Sequence, residues 1–312
     1  MSAADGGSAL PGAPAHGMAD RAASNQFVVG LVVLVALLIG ANFSVMQLAL
    51  EHTTPILLTG MRTAVGGLAL LAYTRLRGER IPTDRRTLLG IFVVSVCITT
   101  ISSMSLVVGV SLVPAGVAAL LSSLVPVWTA LLAFSFLSER LNRLAVAGIV
   151  TGLIGAVVLS SPALEGETSL VGVLILVVSG VSWAAGIVVT RWWNFGDVSS
   201  VMITTVQLFM STMVVVPIGL VVEGTADTDV GLPLILPLLY AAIPSMAVTF
   251  ALLAVVTRNA SATQASATAY LTPVFGVLFA WLIRDNTLSL PEWIGGALLV
   301  IGVVLVTTGR AR

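Results

Sequence analysis

Lysine is absent from the chain, cysteine occurs once, at Cys97, and histidine twice, at His16 and His52. A single cysteine excludes an internal disulfide and any cysteine-based zinc site. Charged residues make up only 9% of the sequence, against about 25% in a soluble domain, so a water-facing surface cannot be assembled from this chain. The formal net charge is zero, which leaves no basic surface for nucleic acid. No Asp or Glu falls in the interior of an apolar run, which argues against proton coupling through an embedded acid and against an intramembrane aspartyl protease. There is no HExxH pair and no G-x-x-x-x-G-K-S/T loop, so ATP is not hydrolysed by this chain. Neither histidine is placed to activate a serine. No catalytic residue, metal or cofactor is therefore expected.

What is present is apolar: 57% of the residues, with a mean hydropathy of +1.08. Runs of roughly 20 apolar residues indicate membrane helices, since barrel strands would alternate. Residues 1–26 are rich in Ala, Gly, Ser and Pro and read as a disordered tail. No cleavage site closes the first run, which reads as an uncleaved span. The sequence predicts an all-α integral membrane protein of ten spans, at 27–50, 55–74, 87–107, 113–137, 144–160, 170–190, 200–222, 233–256, 262–283 and 292–308. With a cytoplasmic N-terminus, twelve arginines lie inside, Arg284 alone lies outside, and Arg62 lies within a span. The positive-inside rule thus predicts N- and C-termini in the cytoplasm of a multi-pass plasma-membrane protein.

The segment Val113–Leu159 recurs at Asn259–Val306. Pro126 matches Pro273, Leu141 matches Leu288, Gly148 matches Gly295 and Gly155 matches Gly302, each at an offset of 147 (273 − 126). Earlier spans align more weakly, with Arg62 opposite Gln207. The chain therefore reads as two five-helix halves, 27–160 and 170–308. Because five is odd, the second half enters the membrane from the opposite side. Such inverted-topology repeats are a signature of secondary transporters, in which two similar halves exchange conformations.

On these residues the chain resembles the drug/metabolite transporter superfamily, and within it the EamA-like ten-helix exporters. The first half carries the resemblance most clearly: Pro126, then Leu137-Ser138-Glu139-Arg140-Leu141, then Gly148 and Gly155. The second half departs from it, with Asn286 where that family often has Glu. The resemblance implies carriage of small solutes such as amino acids or other metabolites, often as efflux.

Candidate solute-binding residues are the uncharged polar groups inside spans and the aromatic faces near them. They are Asn42, Thr99, Ser103, Ser122, Ser123, Thr249, Gln264 and Thr268, with Trp128, Trp183 and Tyr270. Buried amides turn toward a cavity rather than lipid, and aromatic walls with a few polar groups suit an amphipathic organic solute. For most of the hydroxyls the plainer role is to bond the carbonyl four residues back. Ala115, Ala119 and Ser123 form a small-residue stripe, mirrored by Ser261, Ala265 and Ala269. Pro126 and Pro273 cannot bond the carbonyls of Ser122 and Ala269; they either expose acceptors to the solute or simply kink the helices.

Arg62 lies seven residues past Pro55, about 10 Å along its helix. It can bind a substrate carboxylate, pair with Glu51, or snorkel outward; the reading favoured is a gating or structural role. Glu139 reads as a cytoplasmic-side anchor or gate. The expected function is alternating-access transport of small neutral or zwitterionic metabolites, amino acids foremost, in the export direction. The alternatives are efflux of drugs or amphiphiles and, more remotely, a membrane-embedded enzyme or receptor. Expected partners are a small-molecule solute and the bilayer, without nucleic acid. The coupling ion is open, and a homo-oligomer is compatible with the sequence.

Overall fold

The computed structural model describes residues 15–137, 142–164, 168–193, 195–253 and 262–310. They fold into apolar helices with no strand among the described residues. These are α1 (Ala15–Leu50), α2 (Pro55–Leu76), α3 (Arg85–Leu112), α4 (Ala115–Phe136), α5 (Arg143–Leu159), α6 (Leu170–Trp193), α7 (Ser200–Val222), α8 (Leu232–Leu253), α9 (Ala262–Arg284) and α10 (Leu290–Arg310). Among the described residues, eight helices are long and apolar enough to cross a bilayer. The 17-residue α5 and the Leu271–Arg284 part of α9 are shorter apolar helices. Helix α1 begins at Ala15, inside the stretch expected to be a disordered tail. Ala19, Ala22 and Ala23 are strong helix formers and simply continue the first span backward.

Local sequence sets the helix ends. Pro55 occupies the first turn of α2 after extended Thr54, where its missing N–H costs nothing. Gly78, at φ 70°, closes that helix in the left-handed region. Asp84, Asn142 and Ser199 cap α3, α5 and α7 by accepting the amides of Thr87, Ala145 and Met202. At α10, Glu292 accepts the backbone N–H and the hydroxyl of Ser289.

Two helices depart from α geometry in mid-course. Val96–Ser102 of α3 and Ile243–Val248 of α8 are π-helical. In α8 the cause is visible in the sequence: Pro244 has no N–H for the regular ladder. In α3 the support comes from neighbouring helices. Ser182 and Ser179 of α6 donate to the carbonyls of Cys97 and Ser102, and Ser211 of α7 donates to that of Thr99. Ser95 and Thr99 return the favour by donating to the carbonyl of Gln207. The two prolines of the repeat also behave differently. The α-helical course of α4 is interrupted between Ser122 and Val125, just before Pro126, whereas Pro273 sits inside an unbroken α9.

The tightest helix contact is antiparallel, between α5 and α10. A Cβ added at Gly148 would lie 2.7 Å from the carbonyl oxygen of Gly302, and one added at Gly155 would lie 2.8 Å from that of Gly295. Backbone meets backbone there because neither side has a side chain in the way, the usual way helices approach closely in lipid. Ala119 of the α4 small-residue stripe faces Gly276 of α9, so that part of the stripe serves close packing. Ser261 and the side chain of Ala265 lie outside the described residues. The bundle's outer surface is apolar, with Val157, Val171, Met213 and Trp281 exposed, as a lipid-facing surface should be.

At one end of the bundle the α1–α2 turn is clasped by the α7–α8 connection. Glu223 accepts the first-turn amides of Ile56, at 3.0–3.1 Å, and Leu57, at 3.0 Å, on its carboxylate oxygens. Thr53 bonds Thr228 through their hydroxyls, and the amide of Asp229 donates to the carbonyl of His52. Glu51 pairs with Arg284 at the same end.

Candidate solute-binding site

A cavity of about 360 Å³ opens in the middle of the bundle, walled by α1–α4 and α6–α9. The glycine-packed helices α5 and α10 contribute nothing to it. Both π-helical segments do: Ile98, Thr99 and Ser102 from α3, and Ser245 and Met246 from α8. A π turn widens the helix and turns side chains out of the regular register, a feature frequent at functional sites.

The wall is of mixed chemistry. Hydroxyls come from Ser122 and Ser123 at the break in α4, Ser179 of α6, Thr249 of α8, and Thr268 and Thr272 of α9. Trp183 and Phe250 form an aromatic wall, stacked with ring centroids 6.4 Å apart and planes 10° from parallel. Ile39, Phe43 and Leu106 supply aliphatic surface. Among the described residues, Arg62 is the one charged residue in the lining.

Arg62 is 4% exposed. Its Nη1 donates to the Met46 sulfur at 2.9 Å, and the Asn42 amide donates to the same sulfur at 3.5 Å. A thioether is a weak acceptor, so a buried guanidinium is left with little compensation. The Nε of Arg62, the Oδ1 of Asn42 and the Oγ1 of Thr268 have no hydrogen-bond partner. All three residues line the cavity.

Eight of the eleven expected solute-binding residues meet at this cavity: Asn42, Thr99, Ser103, Ser122, Ser123, Trp183, Thr249 and Thr268. Arg62 and Pro126, expected as gating or structural, line it as well. The alternative pairing of Arg62 with Glu51 is not formed, because Glu51 engages Arg284. Arg62 does not snorkel to the end of the bundle either, since it is buried. Trp128 sits elsewhere. Its indole packs on α6, 3.2 Å from where a Cβ on Gly180 would be, and it is not part of the lining. Pro273 is buried in α9 and also outside the lining. Glu139 and the side chains of Gln264 and Tyr270 lie outside the described residues.

Sequence reasoning missed Ser102, Ser179 and Phe250. Ser102 and Ser179 face each other across α3 and α6, with 3.2 Å between their hydroxyls. The signal was an uncharged polar residue in each of two adjacent spans. It became specific only once the helices were paired.

The EamA-like transporter family model matches the chain twice, at residues 26–161 and 170–308. The chain belongs to the EamA-like transporter family. It is 30% identical over 281 residues to the "Uncharacterized inner membrane transporter YedA" of Escherichia coli (strain K12), covering 87% of each chain. It is 25% identical to the "Uncharacterized transporter YvbV" of Bacillus subtilis (strain 168), covering 89% of this chain and 90% of that one. Similarity extends at 23% identity to an Escherichia coli (strain K12) protein named "Probable amino-acid metabolite efflux pump", over 89% of this chain and 94% of its relative. A solved crystal structure shares the fold with a TM-score of 0.65 at 19% identity, covering 90% of this chain and 96% of that one.

Proposed function

We propose that this protein is a secondary transporter that carries a small organic metabolite across the cell membrane by alternating access. In this reading all ten helices cross the membrane, as two inverted five-helix halves at 27–160 and 170–308 with both termini cytoplasmic. The carrying observation is the mid-bundle cavity, bounded by four helices of each half. Amino acids or related neutral or zwitterionic solutes, moved outward, are the first substrates to try, given the name of the efflux-pump relative.

Two features support the inversion. The glycine contacts Gly148–Gly302 and Gly155–Gly295 exchange with one another when the offset of 147 is applied (148 + 147 = 295 and 155 + 147 = 302). The π-helical segments begin at Val96 and Ile243, again 147 apart (243 − 96). With the predicted orientation, the end clasped by Glu223 and the Glu51–Arg284 pair faces outward, so these contacts form an outer gate.

A second reading, efflux of amphiphilic compounds, draws on the stacked Trp183–Phe250 wall. Flux assays on purified protein in liposomes separate the two. Movement of a labelled amino acid supports the first, and movement only of amphiphilic dyes supports the second. Alternating access is tested in a Cys97→Ser background carrying Ser122→Cys. Labelling there by a membrane-impermeant thiol reagent should shift between the two sides when solute is added. Labelling fixed on one side under all conditions would count against alternating access and favour an enzyme or receptor.

A further inference from the structure

We infer that the solute carried by this cavity bears a carboxylate that docks on Arg62, with an apolar arm against the stacked Trp183 and Phe250. The inference rests on the transporter reading only in taking the cavity as the solute's seat.

The argument starts from charge. Among the described residues the lining contains one cation and no carboxylate, and no Asp or Glu lies in the interior of any span. A buried ion is costly unless it is paired and hydrogen-bonded. The protein gives Arg62 a thioether at 2.9 Å and leaves its Nε without a partner. The acids nearest the outer ends of the helices are already committed, Glu51 to Arg284 and Glu223 to the α2 amides. Among the described residues no carboxylate pairs with Arg62, which leaves the counter-ion's place to the solute.

The shape of the donor set then narrows the ion. A guanidinium presents a planar fork that matches a carboxylate and holds it by parallel charge-assisted bonds. The rest of the wall is too apolar to suit a small inorganic anion, because Trp183, Phe250, Phe43 and Leu106 would face nothing polar. They do suit a hydrocarbon or aromatic arm attached to the acid. A solute carrying only an amine is disfavoured, since it would place a second cation beside Arg62 at low dielectric.

The test compares three isosteres, 3-phenylpropionate, 3-phenylpropionamide and 3-phenylpropylamine. Binding is followed by thermal shift and calorimetry on the full-length protein in lipid nanodiscs. The acid should bind about tenfold or more tighter than the amide, and the amine should not bind. Arg62→Gln should abolish the preference for the acid, and Arg62→Lys should retain part of it as a single-point contact. Equal affinity for acid and amide, tighter binding of the amine, or no response to the acid would each overturn the inference. If Arg62→Gln fails to fold, the comparison in the wild-type protein decides alone. Transport keeps the two readings apart. Flux of the amine or amide in liposomes sinks the carboxylate site while leaving the transporter, whereas no flux across a broad metabolite panel sinks the transporter itself.

Discussion

The α5–α10 seam and the α3 and α8 walls are both places where the two halves repeat one another, and they repeat in opposite ways. At the seam the side chains recur. Gly148 and Gly295 are equivalent, as are Gly155 and Gly302, and each contact is glycine on glycine. At the walls the backbone recurs and the side chains do not. Both helices turn π-helical at the same register, yet Thr99 stands where α8 has Met246, Ser103 where it has Phe250, and Ile98 where it has Ser245. Architecture lives in what the halves share, and the proposed solute recognition lives in what they do not. The reason is physical. Close packing of two antiparallel helices is satisfied by the same small residue on both sides, whereas a solute with a polar end and an apolar end needs two unlike walls.

That contrast can be broken first at the seam. Gly302→Ala would place a Cβ 2.4 Å from the amide nitrogen of Gly152 and 2.7 Å from the carbonyl oxygen of Gly148. Backbone atoms cannot swing aside as a side-chain end can, so a cost of about 3 kcal/mol is expected, at the upper end for overpacking. Thermal unfolding in detergent should show it as a large fall in Tm or as loss of folded protein. A variant as stable as wild type would mean that the seam is not tightly closed.

The next effect should fall on transport rather than folding. Ser103→Phe makes the α3 wall a copy of the α8 wall at the position of Phe250. The added ring should fill part of the cavity and reduce flux by about tenfold or more, equivalent to a loss of about 1.4 kcal/mol of solute binding. Its Tm should stay near that of wild type. Unchanged flux would show that the π-helical walls do not bound the solute.

The smallest effect belongs to the clasp, which has no repeated partner among the described residues. Glu223→Ala removes the acceptor for the amides of Ile56 and Leu57, and by analogy with a helix N-cap this should cost about 1 kcal/mol. If the clasp is an outer gate, solute release should also become faster in stopped-flow measurements. A changed Tm with unchanged release would leave Glu223 as a cap and nothing more.

The sequence by itself determined the class of protein, because hydropathy is additive along the chain: long apolar runs with 9% charge have no folded solution in water. It also determined the repeat, since Pro126, Gly148 and Gly155 punctuate their helices at the same offset as Pro273, Gly295 and Gly302. Eight of its eleven candidate side chains line one cavity, because polar groups inside lipid-crossing helices have few other places to go. Only the tertiary structure decided which face of each helix turned inward. Trp128 and Trp183 look alike in sequence, yet one packs on Gly180 and the other stacks on Phe250 in the cavity wall. The π-helical turn of α3 was invisible for the same reason, since its loosened carbonyls are held by Ser179, Ser182 and Ser211 from two other helices. Arg62 shows the division most sharply. Its burial could be read from its place in a span, but that Glu51 would be taken by Arg284 depended on how α1, α2 and α9 meet. Pairing between helices is a long-range choice, and that choice left the cavity with a positive charge that no carboxylate pairs among the described residues.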